Sequence, residues 1–336
     1  MAERIKVCYI LPFYEEGTDT HLFYNYLLIR RLKERGDVDI SVIIEKDQKF
    51  KCPPLRFLEL FLKCLKTRFS GYKNFYVHYS YYGALAAWLV YGKVFYWNRG
   101  MPWLFKRGLV EEQVFRFILR HTVLVTGPES LAKEYVEHYG VRRYKVLSNW
   151  VDIERFEPSN APKADKRTVL FVHHLSKRKG ADLIPEIAKA FSPPAGGDVL
   201  FLVIGDGPEK ENLEKCGVGN VKVLGKVPNS QIPQYFHAAD VFLMPSREEG
   251  SPHALLEAMA SGTPFIASDV GGVRELVPQE LERFLCRSED VRCFEERIKT
   301  LLSDKALYDK ARAECLKYAK NFDLSRGVEE FINLFK

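Results

Sequence analysis

Residues 240–270 read DVFLMPSREEGSPHALLEAMASGTPFIASDV. The run DVFLMPS is short, apolar and β-rich, as expected of a buried strand. REEG turns the chain. Ser251 is a good helix N-cap and Pro252 suits the first helical position. Ala254, Leu255, Ala258 and Met259 then recur at helical spacing. Gly262 stops the helix and Pro264 follows it. PFIASDV is a second buried strand. Continuous apolar strands separated by a helix belong to a parallel sheet covered on both faces.

The same alternation fills the chain. IKVCYILPF (5–13), VDISVIIE (38–45), NFYVHYS (74–80), KVFYWN (93–98), TVLVTG (122–127) and YKVLSN (144–149) read as strands in the first half, with helical patterns such as 20–35 and 129–139 between them. TVLFVHH (168–174), DVLFLVIGDG (198–207) and VKVLGKV (221–227) continue the scheme, and the tail from 305 onward is helical. The prediction is an α/β protein of two doubly wound, Rossmann-like domains. A chain of 336 residues agrees, because single cores rarely grow past roughly 250–300 residues. The polar segment 152–167 is the expected linker, which places an N-terminal domain at 1–160 and a C-terminal domain at 161–318. Ligands of open α/β sheets bind outside the carboxyl ends of the strands. Two such domains would face each other across a cleft.

Composition limits the function. Apolar residues make up 46% and charged residues 28%, an ordinary globular balance. No apolar run approaches the ~20 residues of a membrane span. The run near the N-terminus fits a buried strand better than a secretory signal. A cytoplasmic protein is therefore expected. Seven cysteines at 8, 52, 64, 216, 286, 293 and 315, with no CxxC pair, are expected to be thiols in a reducing compartment. The net charge of +6 is uneven: residues 1–150 hold 24 Lys and Arg against 15 Asp and Glu, and the remainder 26 against 29. The basic half predicts an anionic partner, either a phosphate-bearing small molecule or a lipid surface. No nucleic-acid motif or dense basic run is present. His78, His173 and His253 form no metal-ligand pattern with nearby Cys or Asp, so no metal site is expected.

Glu249 sits in the turn and Glu257 inside the helix that follows, so two carboxylates flank a helix start. A helix start favours anions through its unpaired N–H groups and dipole. Carboxylates accept hydrogen bonds from hydroxyls. A sugar nucleotide needs both: donors for its diphosphate and acceptors for its ribose and hexose. The bland alternative is a capped surface helix with solvated Glu residues.

SREEGSPHALLEAMASGTPFIASDVGGVRELV (246–277) closely resembles the signature of the retaining glycosyltransferases of family 4, which have the two-domain GT-B fold. VIGDGPEKENLE (203–214) and KVLSNWVDIERF (145–156) extend the resemblance. It implies transfer of a hexose from a UDP- or GDP-sugar to a glycan, lipid-linked or small-molecule acceptor, with no resident cofactor and no divalent metal. The first domain would bind the acceptor and the second the donor, and residues 319–336 would form a helix crossing back to the first domain. Carried over residue by residue, Glu257 would bind the ribose and Glu249 the donor hexose. Backbone N–H groups around Ser251–Ala254 would meet the diphosphate or sugar, with Gly250, Ser251, Pro252, His253 and Ala254 as donor-binding residues. Lys179 matches a diphosphate-gripping lysine. His174 stands where relatives have arginine, and Arg178 or Lys177 would compensate; a solvated basic turn is the alternative. Gly205 and Gly207 would let the backbone approach the nucleotide.

In the first domain the loop YEEGTDTH offers Gly17 on the acceptor side, beside Glu15 and Glu16. Trp97, Asn98 and Arg99 follow a strand at a position where many relatives carry a catalytic-site histidine. Arg99 would neutralise a leaving phosphate or hold an acceptor phosphate. Trp97 and Trp103 could stack on a sugar or pack locally. Trp150 replaces a glycine common in relatives. PPLRFLELFLKCLKTRF (53–69) is basic and amphipathic. Its default reading is a helix packing Leu55, Leu58, Leu62, Leu65 and Phe69 on the sheet. The alternative is contact with an anionic membrane surface. Two rival functions remain at this level. One is different chemistry on the same fold, as in a sugar-nucleotide epimerase or a pyridoxal-phosphate-dependent phosphorylase whose lysine is not identifiable. The other is a catalytically silent sugar-nucleotide or glycan-binding module.

Overall fold

The computed structural model describes residues 4–12, 23–45, 52–158, 166–192 and 199–336. Gly17, with Glu15 and Glu16, and the middle of the expected linker lie outside the described residues. The chain divides into two compact units, Met1–Ser148 with Gly327–Lys336, and Asn149–Arg326.

Unit 1 alternates β1 (Ile5–Leu11), α1 (Phe23–Lys33), β2 (Val38–Ile44), α2 (Pro53–Phe69), β3 (Asn74–His78), α3 (Tyr81–Leu89), β4 (Lys93–Trp97), α4 (Leu109–His121), β5 (Val123–Thr126), α5 (Glu129–Tyr139) and β6 (Tyr144–Val146). The sheet runs β2-β1-β3-β4-β5-β6 and every pairing is parallel. The order reverses at β1, the switch point where open α/β sheets place ligands. Local signals explain the boundaries. Ser80 caps α3 by accepting from the Gly83 N–H at 2.9 Å, and Gly140, at φ 63°, ends α5 in the left-handed region.

Unit 2 contains α6 (Ile153–Phe156), β7 (Arg167–Val172), α7 (Ile184–Lys189), β8 (Val199–Ile204), α8 (Lys210–Glu214), β9 (Val221–Gly225), α9 (Ile232–Ala238), β10 (Val241–Met244), α10 (His253–Ala260), β11 (Phe265–Ser268), β12 (Leu285–Cys286), α11 (Val291–Ser303) and α12 (Lys305–Ala319). Its parallel sheet runs β12-β11-β10-β7-β8-β9. The buried Asp240 ties two central strands together: its carboxylate accepts from the Thr168 N–H at 2.8 Å and from Arg167 at 3.1 Å. Every residue of β10 is buried, so truncating Phe242 to Ala would cost about 3–5 kcal/mol. A last helix, α13 (Leu324–Asn333), returns the chain to unit 1. There Phe331 stacks on Tyr9 at 6.0 Å and Phe335 meets Phe95 at 4.8 Å.

The units divide at 148/149 and 326/327, where the sequence suggested 160 and 318. Val151 and Phe156 explain the first difference, because both are buried in the unit 2 core. Strand β12 is too short to carry a periodic signal. Two expectations are overturned. Cys286 and Cys293 form a disulfide closing the turn into α11, so not all seven cysteines are thiols. The helix at 53–69 is present, but Leu55, Leu58, Leu62 and Phe69 face outward, at 43, 50, 53 and 83% exposure. The opposite stripe, Phe57, Leu60, Phe61 and Cys64, packs on unit 1. That stripe, not the leucine stripe, is the buried one.

Candidate active site

Three connections at the carboxyl edge of the unit 2 sheet converge on Glu249. His173 follows β7, Ser246 and Glu249 follow β10, and Gly271 follows β11. Lys179 arrives from the 3-10 turn Lys177–Lys179. Glu249 is 4% exposed. Lys179 Nζ lies 2.8 Å from its Oε2, His173 Nε2 lies 3.2 Å from its Oε1, and Ser246 Oγ donates to Oε1 at 2.7 Å. Lys179 also donates to the Glu248 carbonyl at 3.2 Å. Two glycines allow this crowding. A Cβ on Gly271, at φ +52°, would sit 1.8 Å from the Glu249 carbonyl oxygen. A Cβ on Gly180, at φ +69°, would sit 2.0 Å from that of Pro245.

Burial alone would raise the Glu249 carboxyl; the His173 hydrogen bond and the Lys179 charge outweigh it and hold the group at about 2. Burial lowers His173, so the imidazole is neutral at pH 7 and contributes a hydrogen bond rather than a charge. Its tautomer follows from its neighbours. Nδ1 accepts the His174 N–H at 2.8 Å, which leaves the proton on Nε2, facing Glu249. Burial also lowers Lys179, opposed by the charge and hydrogen bond of Glu249. A carboxylate offers about four acceptor directions. Ser246, His173 and Lys179 take three of them, so Glu249 keeps acceptor capacity for one more donor, such as a ligand hydroxyl.

The helix start differs from the expectation. Helix α10 begins at His253, with Pro252 in the N-cap position and no side-chain cap. Ser251 is not the cap. Its carbonyl accepts from Asn149 Nδ2, and its Oγ is buried without a hydrogen-bond partner. Asn149 and the neighbouring Trp150, whose carbonyl lies 3.2 Å from His253 Nδ1, fix the turn one residue further along. Pro252 offers no side-chain acceptor to the first turn of α10, and a helix start without a side-chain cap is an arrangement that binds anions. Glu257 lies one turn into the same helix and is 6% exposed. Helical side chains tilt toward the N-terminus, which carries its carboxylate toward the helix start. Gly250 and Ala254 are half-buried beside it.

Gly205 and Gly207 approach another part of the backbone closely. Their φ values are +143° and +153°, and added Cβ atoms would meet the His173 carbonyl oxygen at 1.8 Å and that of Leu175 at 2.4 Å. The close approach is to the chain after β7. His174 and Arg178 are exposed. Arg247 escapes a sequence search because its neighbours dominate the motif. It braces the site by pairing with Asp182 at 2.7 Å and Glu289 at 2.9 Å, and its N–H donates to the Arg178 carbonyl.

Unit 1 carries a second cluster at the carboxyl ends of β3 and β4. Arg99 is buried. It donates to the Leu147 carbonyl and lies 5.0 Å from the centre of the Trp97 ring, while its Nε has no partner. Burial lowers it to about 10, opposed by Tyr76, Tyr79 and Tyr9. Trp97 stacks on His78 at 4.0 Å. Asn98 is oriented by two local hydrogen bonds: Oδ1 accepts from the Gly100 N–H at 2.9 Å and Nδ2 donates to Tyr96 at 3.2 Å. Trp103 packs locally, stacked on His138 at 4.5 Å. From sequence His78 enters only the search for a metal-ligand pattern. The signal it gave was a polar residue closing the apolar run NFYVH. Among the described residues no three His, Cys, Asp or Glu converge as metal ligands.

The profile of the family described as glycosyl transferases group 1 matches residues 152–322, just over half of the chain. The chain belongs to that family. A sulfoquinovosyl transferase from Arabidopsis thaliana is 29% identical over 227 residues, 61% of this chain and 43% of that protein. The chain spans about half the length of the curated relatives it matches. Sucrose-phosphate synthase from Thermosynechococcus elongatus has a TM-score of 0.80 at 19% identity, covering 99% of this chain and 98% of that one. HepE from Anabaena, solved with UDP and glucose, has a TM-score of 0.78 at 18% identity, covering 98% and 99%. These likenesses show the fold, the two-domain α/β architecture called GT-B.

Proposed function

We propose that this chain is a retaining, family 4 glycosyltransferase that moves a hexose from a UDP- or GDP-sugar to a glycan or lipid-linked acceptor. The observation that carries it is a buried, ionised Glu249 beside an uncapped helix start that also bears Glu257. Donor hydroxyls pair with Glu249, ribose hydroxyls pair with Glu257, and the diphosphate meets the α10 N–H groups. When the glycosidic C–O bond breaks, negative charge grows on the leaving diphosphate. Lys179, Arg178 and the α10 dipole stabilise it. The acceptor hydroxyl attacks from the same face, so no enzyme nucleophile is required. Arg99 in unit 1 serves an acceptor or leaving phosphate, and no metal has a role. HepE, solved with UDP and glucose, supports the choice of donor class.

No helix among the described residues is long and apolar enough to cross a membrane. The outward leucines of α2, with exposed Lys66, fit an anionic membrane surface, so we place the acceptor at such a surface. The test is to supply UDP- and GDP-hexoses with alkyl-glycoside and lipid-linked acceptors, follow product by mass spectrometry, and read the new linkage by NMR. An α-linked product from an α-donor is expected. An epimerised donor without any acceptor product would favour the epimerase, and nucleotide binding without turnover the silent module.

A further inference from the structure

Unit 1 contains a pocket of about 480 Å³ that neither the donor site nor the Arg99 cluster uses. Pro53, Phe57 and Leu60 of α2 and Tyr82 of α3 form its apolar walls, and Glu45 and Arg56 are its charged residues. Its size falls within the ~300–1,000 Å³ of small-ligand pockets. The walls are firm: Leu60 is 2% exposed, and Phe57 meets the Tyr82 ring edge-on at 6.5 Å. Glu45 Oε1 is buried without a hydrogen-bond partner; burial raises its carboxyl, opposed by a hydrogen bond from Ser80 and the charge of Arg56. Arg56 is exposed at the mouth, where its charge acts on Glu45 and can also meet an anionic group.

Position gives the pocket a purpose. Glu45 directly follows β2 and Tyr82 lies at the start of α3, so the pocket opens at the carboxyl edge of the sheet. That edge also carries Trp97 and Arg99. From β2 to β4 is three strand spacings, roughly 14 Å. The outward face of the same helix is apolar at Leu55, Leu58 and Leu62.

We propose that this pocket takes the hydrocarbon chain of a single anionic amphiphile, with Arg56 holding the anionic group at the mouth. The chain would then be anchored at β2 while a headgroup extends along the strand ends toward Trp97 and Arg99. For its purpose this rests on the acceptor reading above. Its test needs no sugar nucleotide, so the two can fail separately.

The probes are n-octyl, n-decyl and n-dodecyl phosphate below their micelle thresholds, titrated by calorimetry with native mass spectrometry for stoichiometry. One amphiphile per chain is expected, with affinity rising about fourfold per methylene until the pocket is full. Leu60→Trp should abolish binding. The exposed Arg56→Gln, where folding is not at stake, should weaken octyl phosphate about tenfold and leave n-octanol unchanged. Leu58→Asp, on the outer face, should retain alkyl-phosphate binding while losing adsorption to phosphatidylglycerol vesicles. Non-saturable binding would overturn the proposal. So would binding lost in Leu58→Asp but kept in Leu60→Trp, or equal loss of octyl phosphate and octanol in Arg56→Gln.

Discussion

Among the described residues each unit places a buried cation at the carboxyl edge of its parallel sheet, and the two are treated differently. Lys179 in unit 2 is matched at 2.8 Å by Glu249, which Ser246 and His173 also hold. Arg99 in unit 1 lies among tyrosines and over Trp97, with one nitrogen unpartnered and no carboxylate pair among the described residues. The first arrangement is complete before any ligand arrives. The second has charge to spare. A preorganised carboxylate suits a site that reads hydroxyls of a donor. An uncompensated guanidinium suits a site that awaits an anion.

The largest expected effect tests the matched pair. Removing one partner of a buried ion pair strands the other, so Glu249→Ala should lower the unfolding free energy in urea by about 3–5 kcal/mol. Glu249→Leu with Lys179→Met should recover most of it, because two apolar groups leave no orphan charge. If the single and double variants are equally destabilised, the pairing does not carry the site. Arg99→Met should behave in the opposite way. Its stability should be unchanged or raised, while transfer falls about 100-fold, as for loss of one stabilising donor at a developing charge. A large loss of stability in Arg99→Met would place it in the matched class and end the contrast. A smaller effect is expected at Glu257→Gln: affinity for the nucleotide should drop roughly tenfold, the loss of one charge-assisted hydrogen bond. Thermal stability without ligand should change little.

The smallest effect is a pH dependence. Burial holds His173 below its ordinary 6.5. The unfolded chain therefore binds a proton that the folded chain refuses, and stability falls as pH drops through 6.5. Glu249 loses its contribution only further down, from its unfolded value toward about 2. His173→Gln keeps a donor but cannot titrate, so its unfolding curve should be flatter than wild type between pH 7 and 5. Equal slopes would mean that His173 is not the group that titrates.

Much of the fold was legible because alternating apolar strands and amphipathic helices are local signals. The Glu249 and Glu257 pattern was legible for the same reason, since turn, helix and strand are contiguous from 240 to 270. What the sequence could not give were contacts between distant strand ends. His173 meets Glu249 only because β7 and β10 are neighbours in the sheet. The packing of Gly205 and Gly207 against the chain after β7 is likewise visible only in the fold. Ser251 loses the cap position to Pro252 because Asn149, far away in sequence, holds its carbonyl. On α2 two apolar stripes compete for the sheet, and helical periodicity cannot rank them. The Cys286–Cys293 pair lacks a spacing signature.

The central claim is that unit 2 binds a sugar nucleotide through Glu249 and Glu257. Its most direct test is thermal unfolding of the whole chain with UDP, GDP, ADP or NAD at millimolar concentration and without metal. A ligand at 100 times its dissociation constant adds about 2.7 kcal/mol. The account predicts a raised midpoint with UDP or GDP that is lost in Glu257→Ala. A rise with NAD alone, or no rise with any of the four, would contradict it.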